Sequence, residues 1–241
     1  FKIKFKRYFS DPNLPDKLSF NNALCFAENK AGDILIGTDG GGLNKLDRKT
    51  DKFVHYMHDP SNPNSLSSNA IISICEDHEG TLWLATFNGG LARIKGNSFS
   101  AYYPDPSNPY SLSDQNIWYV YEDSKKNLWV ATLNRGLELF DRKTNRFYHF
   151  TTKATDSTGL CNNSILELYE DSKQNLYITT YWGVSIIDLN KYDFSKIPPD
   201  IKFRNLFHQE NKNSISSNAV YCVQEDNEGN LWFGTYGSGI D

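Results

Sequence analysis

The chain has 241 residues and a formal net charge of −4, with 39% hydrophobic and 14% aromatic residues. That apolar share supports a packed core and excludes a disordered chain. Mild acidity without a long basic run excludes a general nucleic-acid-binding face, and no run of about 18 apolar residues reads as a membrane span.

The opening FKIKFKRYF alternates charged and apolar residues, unlike a signal peptide, so any targeting sequence is expected outside these residues. FKIKFKRYFSDPNLPDKLS at 1–19 matches DKFVHYMHDPSNPNSLS at 51–67, which predicts an outer strand over residues 1–10. Five repeat units then follow, at 17–64, 65–110, 111–158, 159–213 and 214–241. Their leading Leu or Ile residues, at 18, 66, 112, 160 and 215, are spaced by 48, 46, 48 and 55 residues, the last step stretched by an insertion around DFSKIPPDIKF.

Each unit opens on an apolar run such as AIISICED at 70–77. A tight turn follows, opened by Asn29, Asp77, Asp123, Asp171 or Asp226. Gly32, Gly80 and Gly229 close three of these turns, and Lys126 and Gln174 stand in the other two, a pattern that fits type I turns. Next come GTLWLAT and its counterparts, a Gly-containing turn such as FNGGL, and a third short run such as LELFD. An alternating run such as FYHFTT ends the unit. The runs are short, β-branched and aromatic, without helical period. Four antiparallel strands per unit predict an all-β fold, a β-propeller of four-stranded blades. DPSNPNSLSSN at 59–69 and DPSNPYSLSDQ at 105–115 are read as crossings from the outer strand of one blade to the inner strand of the next. The last unit holds little of its third strand. The favoured expectation is a piece of a longer propeller, and the alternative is a small ring closed by Phe1–Phe9 on the last blade.

NAIISICEDHEGTLWLATFNGGL at 69–91 and NAVYCVQEDNEGNLWFGTYGSGI at 218–240 resemble the two-component regulator propeller repeat. The first unit carries Leu35 at the Trp position, and the fourth carries Tyr177 there and Gly183-Val184 for Gly-Gly. The resemblance implies the periplasmic sensor region of a bacterial hybrid two-component regulator, with about seven blades per propeller. It also implies a downstream β-sandwich, membrane helix, histidine kinase and DNA-binding parts. The implied role is sensing oligosaccharides derived from polysaccharides, without catalysis in this segment and without a cofactor.

Trp83, Trp129 and Trp232 recur at one strand position, so packing between blades is expected of them. The Glu-Asp pairs at 76–77, 122–123, 170–171 and 225–226 could suggest paired-carboxylate glycosidase chemistry. Adjacent strand residues point to opposite faces, however, and recurrence at a turn fits capping. His55 and His58 are read as opposite-facing and not as a shared metal site. The four cysteines, Cys25, Cys75, Cys161 and Cys222, form no CxxC pair and do not fix the redox compartment.

Binding residues are sought where the repeats differ, on the loops between second and third strands: Asp39-Gly40, Phe87-Asn88, Leu133-Asn134, Tyr181-Trp182 and Tyr236-Gly237. Asn21, Asn69, Gln115, Asn163 and Asn218 lie near them, at the starts of inner strands. Amides beside aromatic rings are what a carbohydrate site requires. The ligand-binding candidates are Trp182, Tyr181, Asn88, Phe87, Asn134, Tyr236, Asn69 and Gln115. Backbone capping is the competing role for the Asn series. Trp118 also breaks the repeat but is expected to pack. A protein-interaction or dimerisation scaffold is the alternative function, a propeller enzyme a third, and self-association is expected.

Overall fold

A computed structural model describes residues 5–11, 13–153, 156–196, 198–210 and 213–241. The strands form five antiparallel sheets in sequential order, the blades of a β-propeller. The first blade is β1 (Ala23–Glu28), β2 (Ile34–Thr38), β3 (Leu43–Asp47) and β4 (Lys52–Tyr56). The second is β5 (Ile71–Glu76), β6 (Leu82–Thr86), β7 (Leu91–Lys95) and β8 (Ser98–Tyr102). The third is β9 (Ile117–Glu122), β10 (Leu128–Thr132), β11 (Leu137–Asp141) and β12 (Arg146–Phe150). In the fourth, β13 (Ile165–Glu170), β14 (Asn175–Thr180) and β15 (Gly183–Asp188) precede a 3-10 turn at Leu189–Lys191, and β16 (Arg204–Leu206) closes the sheet. The last blade has three strands, β17 (Val220–Glu225), β18 (Leu231–Thr235) and β19 (Gly239–Ile240).

The chain divides into two compact units, one ending at Ala101 and the other spanning Tyr102–Asp241. The expected outer strand over residues 1–10 falls partly outside the described residues, at 1–4. Residues 5–10 carry no strand, but Tyr8 sets its ring edge-on to Phe53, 5.5 Å between centroids.

The turn after each first strand explains the ED…LW pattern. In the third blade Asp123 Oδ1 accepts the N–H groups of Lys125 and Asn127, at 2.9 and 2.8 Å, and Oδ2 accepts the Trp129 indole N–H at 2.8 Å. Asp77 serves Glu79, Thr81 and Trp83 in the same way, and Asp226 serves Glu228, Asn230 and Trp232. The departures obey the same chemistry. Tyr177 replaces Trp but still donates its hydroxyl to Asp171 at 3.2 Å. The first blade has Leu35 at that position, which donates nothing, and there Asn29 replaces Asp while still capping Ala31 and Asp33. Lys126 and Gln174 take the left-handed backbone that glycine takes in the other turns, at φ 68° and 63°.

The Glu of the pair has a separate task, linking one blade to the one before it. Glu76 accepts the Lys30 N–H, Glu170 that of Ser124 and Glu225 that of Ser172, at 2.7–2.8 Å. The aspartates thus cap their own turns, as the turn-capping reading expects, while Glu76, Glu170 and Glu225 hold the backbone of another blade and Glu122 instead accepts from the Arg142 guanidinium at 2.9 Å.

The cores lie between sheets within each unit. In the first unit Leu35, Leu43, Leu66, Ile71 and Leu84 bury together. In the second, Trp129, Leu137, Leu168 and Ile178 form one cluster, and Tyr177, Val184, Val220 and Val223 another. The insertion before β16 belongs to this core, since Phe194 stands edge-on to Trp129 at 6.0 Å. Trp83 and Trp129 are buried as inter-blade packing requires, whereas Trp232 is exposed. All four cysteines are free thiols. Burial pushes the Cys25 thiol up to about 12, which keeps it protonated and unreactive.

Candidate functional site

The loops between second and third strands are built by a repeated threonine. Thr38, Thr86, Thr132, Thr180 and Thr235 donate their hydroxyls to the carbonyls of Gly42, Gly90, Gly136, Gly183 and Gly239. Those glycines all hold positive φ, from 67° to 98°. At Gly183 a Cβ would also stand 2.7 Å from the Leu206 carbonyl, so no other residue fits there without rearrangement. With the turn backbone fixed this way, the intervening residues are held outward.

The Asn series is spent on backbone. Asn69 Oδ1 accepts the His58 N–H at 2.7 Å while its carbonyl accepts from Gly40 and Gly42. Asn163 caps Thr152, Asn218 caps His208 and Asn21 caps Ser10 in the same fashion. Asn69 therefore acts first as a clamp on the DPSNP crossing. Phe87 and Asn88 are exposed beside it in the first unit, Asn88 at φ 59°, and the Phe87 carbonyl accepts from Ser68.

In the second unit Gln115 and Asn134 are exposed, and Asn134 Oδ1 lies 3.5 Å from the Ser164 hydroxyl. Three of the candidates are exposed aromatics here: Tyr181, Trp182 and Tyr236, with Trp182 58% exposed. Tyr181 and Tyr236 are joined through Tyr221, a residue not anticipated. Tyr221 meets Tyr181 edge-on at 6.0 Å and lies nearly parallel to Tyr236 at 5.8 Å and 27°. A side-chain hydrogen bond with Tyr181 raises the Tyr221 hydroxyl above the usual tyrosine range.

Tyr221 occupies a β-bulge. In each blade the register of the first strand slips between its first and third residues, at Ala23/Cys25, Ile71/Ser73, Ile165/Glu167 and Val220/Cys222, with the same slip opposite Ala131/Thr132 in the third blade. The skipped residue is Leu24, Ile72, Trp118, Leu166 or Tyr221. A bulge re-aims one side chain out of the pleat. An aromatic residue at this offset was the signal available in the sequence, and Trp118 carries it too, half-buried.

One buried carboxylate departs from the repeat. Glu138 in β11 is 0% exposed, where the other blades carry Asn44, Ala92, Ser185 and Asp241. It accepts from the Ser113 N–H at 2.9 Å and from the Ser113 hydroxyl, and His149 Nδ1 stands 3.5 Å away. The Ser113 hydroxyl is thus bound to the carboxylate and not to the imidazole, so this is no nucleophile–base pair. The other ring nitrogen of His149 faces the Pro109 carbonyl at 3.2 Å. With an acceptor at each nitrogen, the doubly protonated ring fits, and the bond to Glu138 raises the His149 pKa. A histidine whose folded pKa is raised stabilises fully below its unfolded value and loses that contribution as pH rises through the folded value. The stability difference between wild type and His149→Gln should therefore shrink as pH rises from about 5 to 8. Thermal melts across that range check it, and a difference that grows with pH contradicts the pairing.

Among the described residues, no three metal-ligating side chains come together, and no helix is long and apolar enough to cross a membrane. His55 and His58 each face a separate carbonyl, of Lys17 and Leu66.

The sequence profile described as "Two component regulator propeller" matches residues 65–88, 111–134 and 214–237. No curated protein matches the chain. Among solved structures, an extracellular domain described as part of a hybrid two-component system of B. thetaiotaomicron is similar, with a TM-score of 0.77 at 23% identity. The match covers 98% of this chain and 28% of that one. A second B. thetaiotaomicron extracellular domain, of a system described as one-component, gives a TM-score of 0.51 at 25% identity over 92% of this chain and 36% of that one. Virginiamycin B lyase from Staphylococcus aureus shares the fold at 15% identity, with a TM-score of 0.60 over 91% of this chain and 68% of its own. The chain thus spans about a third or less of the two extracellular domains it resembles.

Proposed function

We propose that the chain, whose repeats at 65–88, 111–134 and 214–237 match the two-component regulator propeller profile, is a non-catalytic part of a periplasmic sensor that binds polysaccharide-derived oligosaccharides. Binding would control genes for glycan use through a histidine kinase beyond a downstream membrane helix. The carrying observation is the exposed aromatic group of Tyr181, Tyr221 and Tyr236, with Trp182 beside Tyr181 on the same loop. Flat apolar faces next to phenol hydroxyls are suited to sugar rings, which present C–H groups on their faces and hydroxyls at their edges. The repeated Glu and Asp residues are already committed to turn and inter-blade hydrogen bonds or, at Glu122, to an ion pair with Arg142, which supports binding over acid–base hydrolysis.

Calorimetric titration with a panel of plant and host polysaccharide oligosaccharides tests the reading. Trp182→Ala should weaken glycan binding about tenfold or more, the factor carried by about 1.4 kcal/mol. The second reading, a protein-interaction scaffold using the same face, predicts that no glycan in the panel binds and that Trp182→Ala alters association with a protein instead.

A further inference from the structure

The threonine that closes each loop between second and third strands also anchors the loop from inside. Its hydroxyl oxygen accepts the N–H of Gly41 at Thr38, of Arg135 at Thr132 and of Trp182 at Thr180, at 2.9–3.0 Å. Gly41, Arg135 and Trp182 therefore hold one turn position in the first, third and fourth blades, and Gly89 is their counterpart in the second. In the first two blades that position has no room for a side chain. A Cβ at Gly41 would stand 2.5 Å from the Phe20 Cβ, and one at Gly89 2.6 Å from the Ser68 Cβ. The third and fourth blades depart from the repeat here, and they install a guanidinium and an indole.

Both side chains are exposed, on consecutive blades of the second unit. Their loops are joined through Ser164. Asn134, one residue before Arg135, sets its Oδ1 3.5 Å from the Ser164 hydroxyl, and the Ser164 carbonyl accepts the N–H of Tyr181, one residue before Trp182. The inner strand of the fourth blade packs against those of the third and the last, so these loops have a sheet on either side. Arg135 is the one cation in the five loops. Among the described residues no carboxylate pairs with its guanidinium. The counterpart of Ser68 in this blade is Asp114, whose Oδ1 already accepts the Asn116 N–H at 2.9 Å.

We propose that Arg135 makes the bound oligosaccharide an acidic one, its guanidinium taking the carboxylate of a uronic acid residue while Trp182 stacks on the sugar. This rests on the oligosaccharide-binding reading above and narrows its ligand class. Arginine presents parallel N–H groups that match the two oxygens of a carboxylate, so the contact is bidentate and directional, unlike the point charge of lysine. A neutral sugar hydroxyl offers the same guanidinium a weaker partner. The carboxylate of a uronic acid stands at the ring edge and leaves the C–H face free for an aromatic ring. Because the contact lies in solvent, salt screens it.

Calorimetric titration of the full chain with uronic-acid oligosaccharides from pectin, alginate and glucuronoxylan, each against its methyl ester, tests it. The ester keeps every ring and linkage and removes only the charge. At least one acid should bind about tenfold tighter than its ester at low salt, and the gap should narrow as salt is added. Arg135→Gln should bring the affinity for that acid down to that for its ester, and Arg135→Lys should recover only the salt-sensitive part of the gap. Thermal melts of both variants verify the fold. Esters or neutral glycans that bind as tightly as the acids overturn the assignment and leave the oligosaccharide reading standing. An acid preference that survives Arg135→Gln overturns it too, as does a sulfated neutral oligosaccharide that binds through Arg135 more tightly than any uronate. No binding by any acidic, neutral or sulfated glycan sinks the oligosaccharide reading and the acid preference together.

Discussion

Replacing Trp129 by alanine should cost about 3–5 kcal/mol of folding stability, while the same change at Trp232 should cost about 1 kcal/mol. The two tryptophans occupy one repeat position, and both donate the indole N–H to the turn aspartate at 2.8 Å. The lost hydrogen bond is therefore common to the pair. Burial separates them, since Trp129 is 0% exposed and Trp232 51%. Around Trp129 stand Phe150 and Phe194, so truncation leaves a cavity lined by rings fixed on other elements. Trp232 is half exposed, so truncation there leaves no enclosed cavity. Denaturant midpoints at constant slope measure both. Equal losses at the two positions would mean that the hydrogen bond, and not packing, sets the value of this residue.

Replacing Asp123 by alanine should cost about 3 kcal/mol, again with a small effect at its counterpart Asp226. Asp123 holds two turn N–H groups and a buried indole N–H. Removing the acceptor from a buried donor costs about 1–3 kcal/mol per group, and the exposed turn amides recover part of that from water. At Asp226 the donors are the same but the site is exposed. The carboxyls report the difference. Burial pushes Asp123 up despite its donors, while at Asp226 the Trp232 and Asn230 hydrogen bonds pull the pKa down to about 2. A depressed carboxyl stabilises above its unfolded pKa and loses that contribution as pH falls towards the folded value. A double-mutant cycle of Asp123→Ala with Trp129→Phe isolates the indole bond, with a coupling of about 1–2 kcal/mol expected. Coupling near zero would show the turn amides to be the main clients of Asp123.

What could be read from the sequence was what repeats. ED followed by LW recurs because one carboxylate must reach the turn amides and the indole at once, so strand, turn and packing residue are fixed together. The same logic accounts for the departures, Asn29 together with Leu35 in the first blade and Tyr177 on an unchanged Asp171 in the fourth. The inter-blade role of the adjacent Glu was not legible, because it acts on the backbone of another unit some 46 to 53 residues earlier. Of the candidate site, the loop aromatics Tyr181, Trp182 and Tyr236 stood out because they differ between repeats. Tyr221 did not, since it lies within an apparently regular strand, and only the bulge turns it towards Tyr181 and Tyr236. The double duty of Asn69, side chain to His58 and carbonyl to Gly40 and Gly42, is a contact across the sequence that spacing alone does not specify.

Hydrogen–deuterium exchange of the full chain, with and without a panel of glycans, reads whether the aromatic face of the second unit binds oligosaccharides. A binding glycan should protect the 181–182 and 236–238 loops and the start of β17 at Val220–Tyr221, leaving the outer strands unchanged. Protection confined to the outer strands, or none from any glycan in the panel, would contradict it.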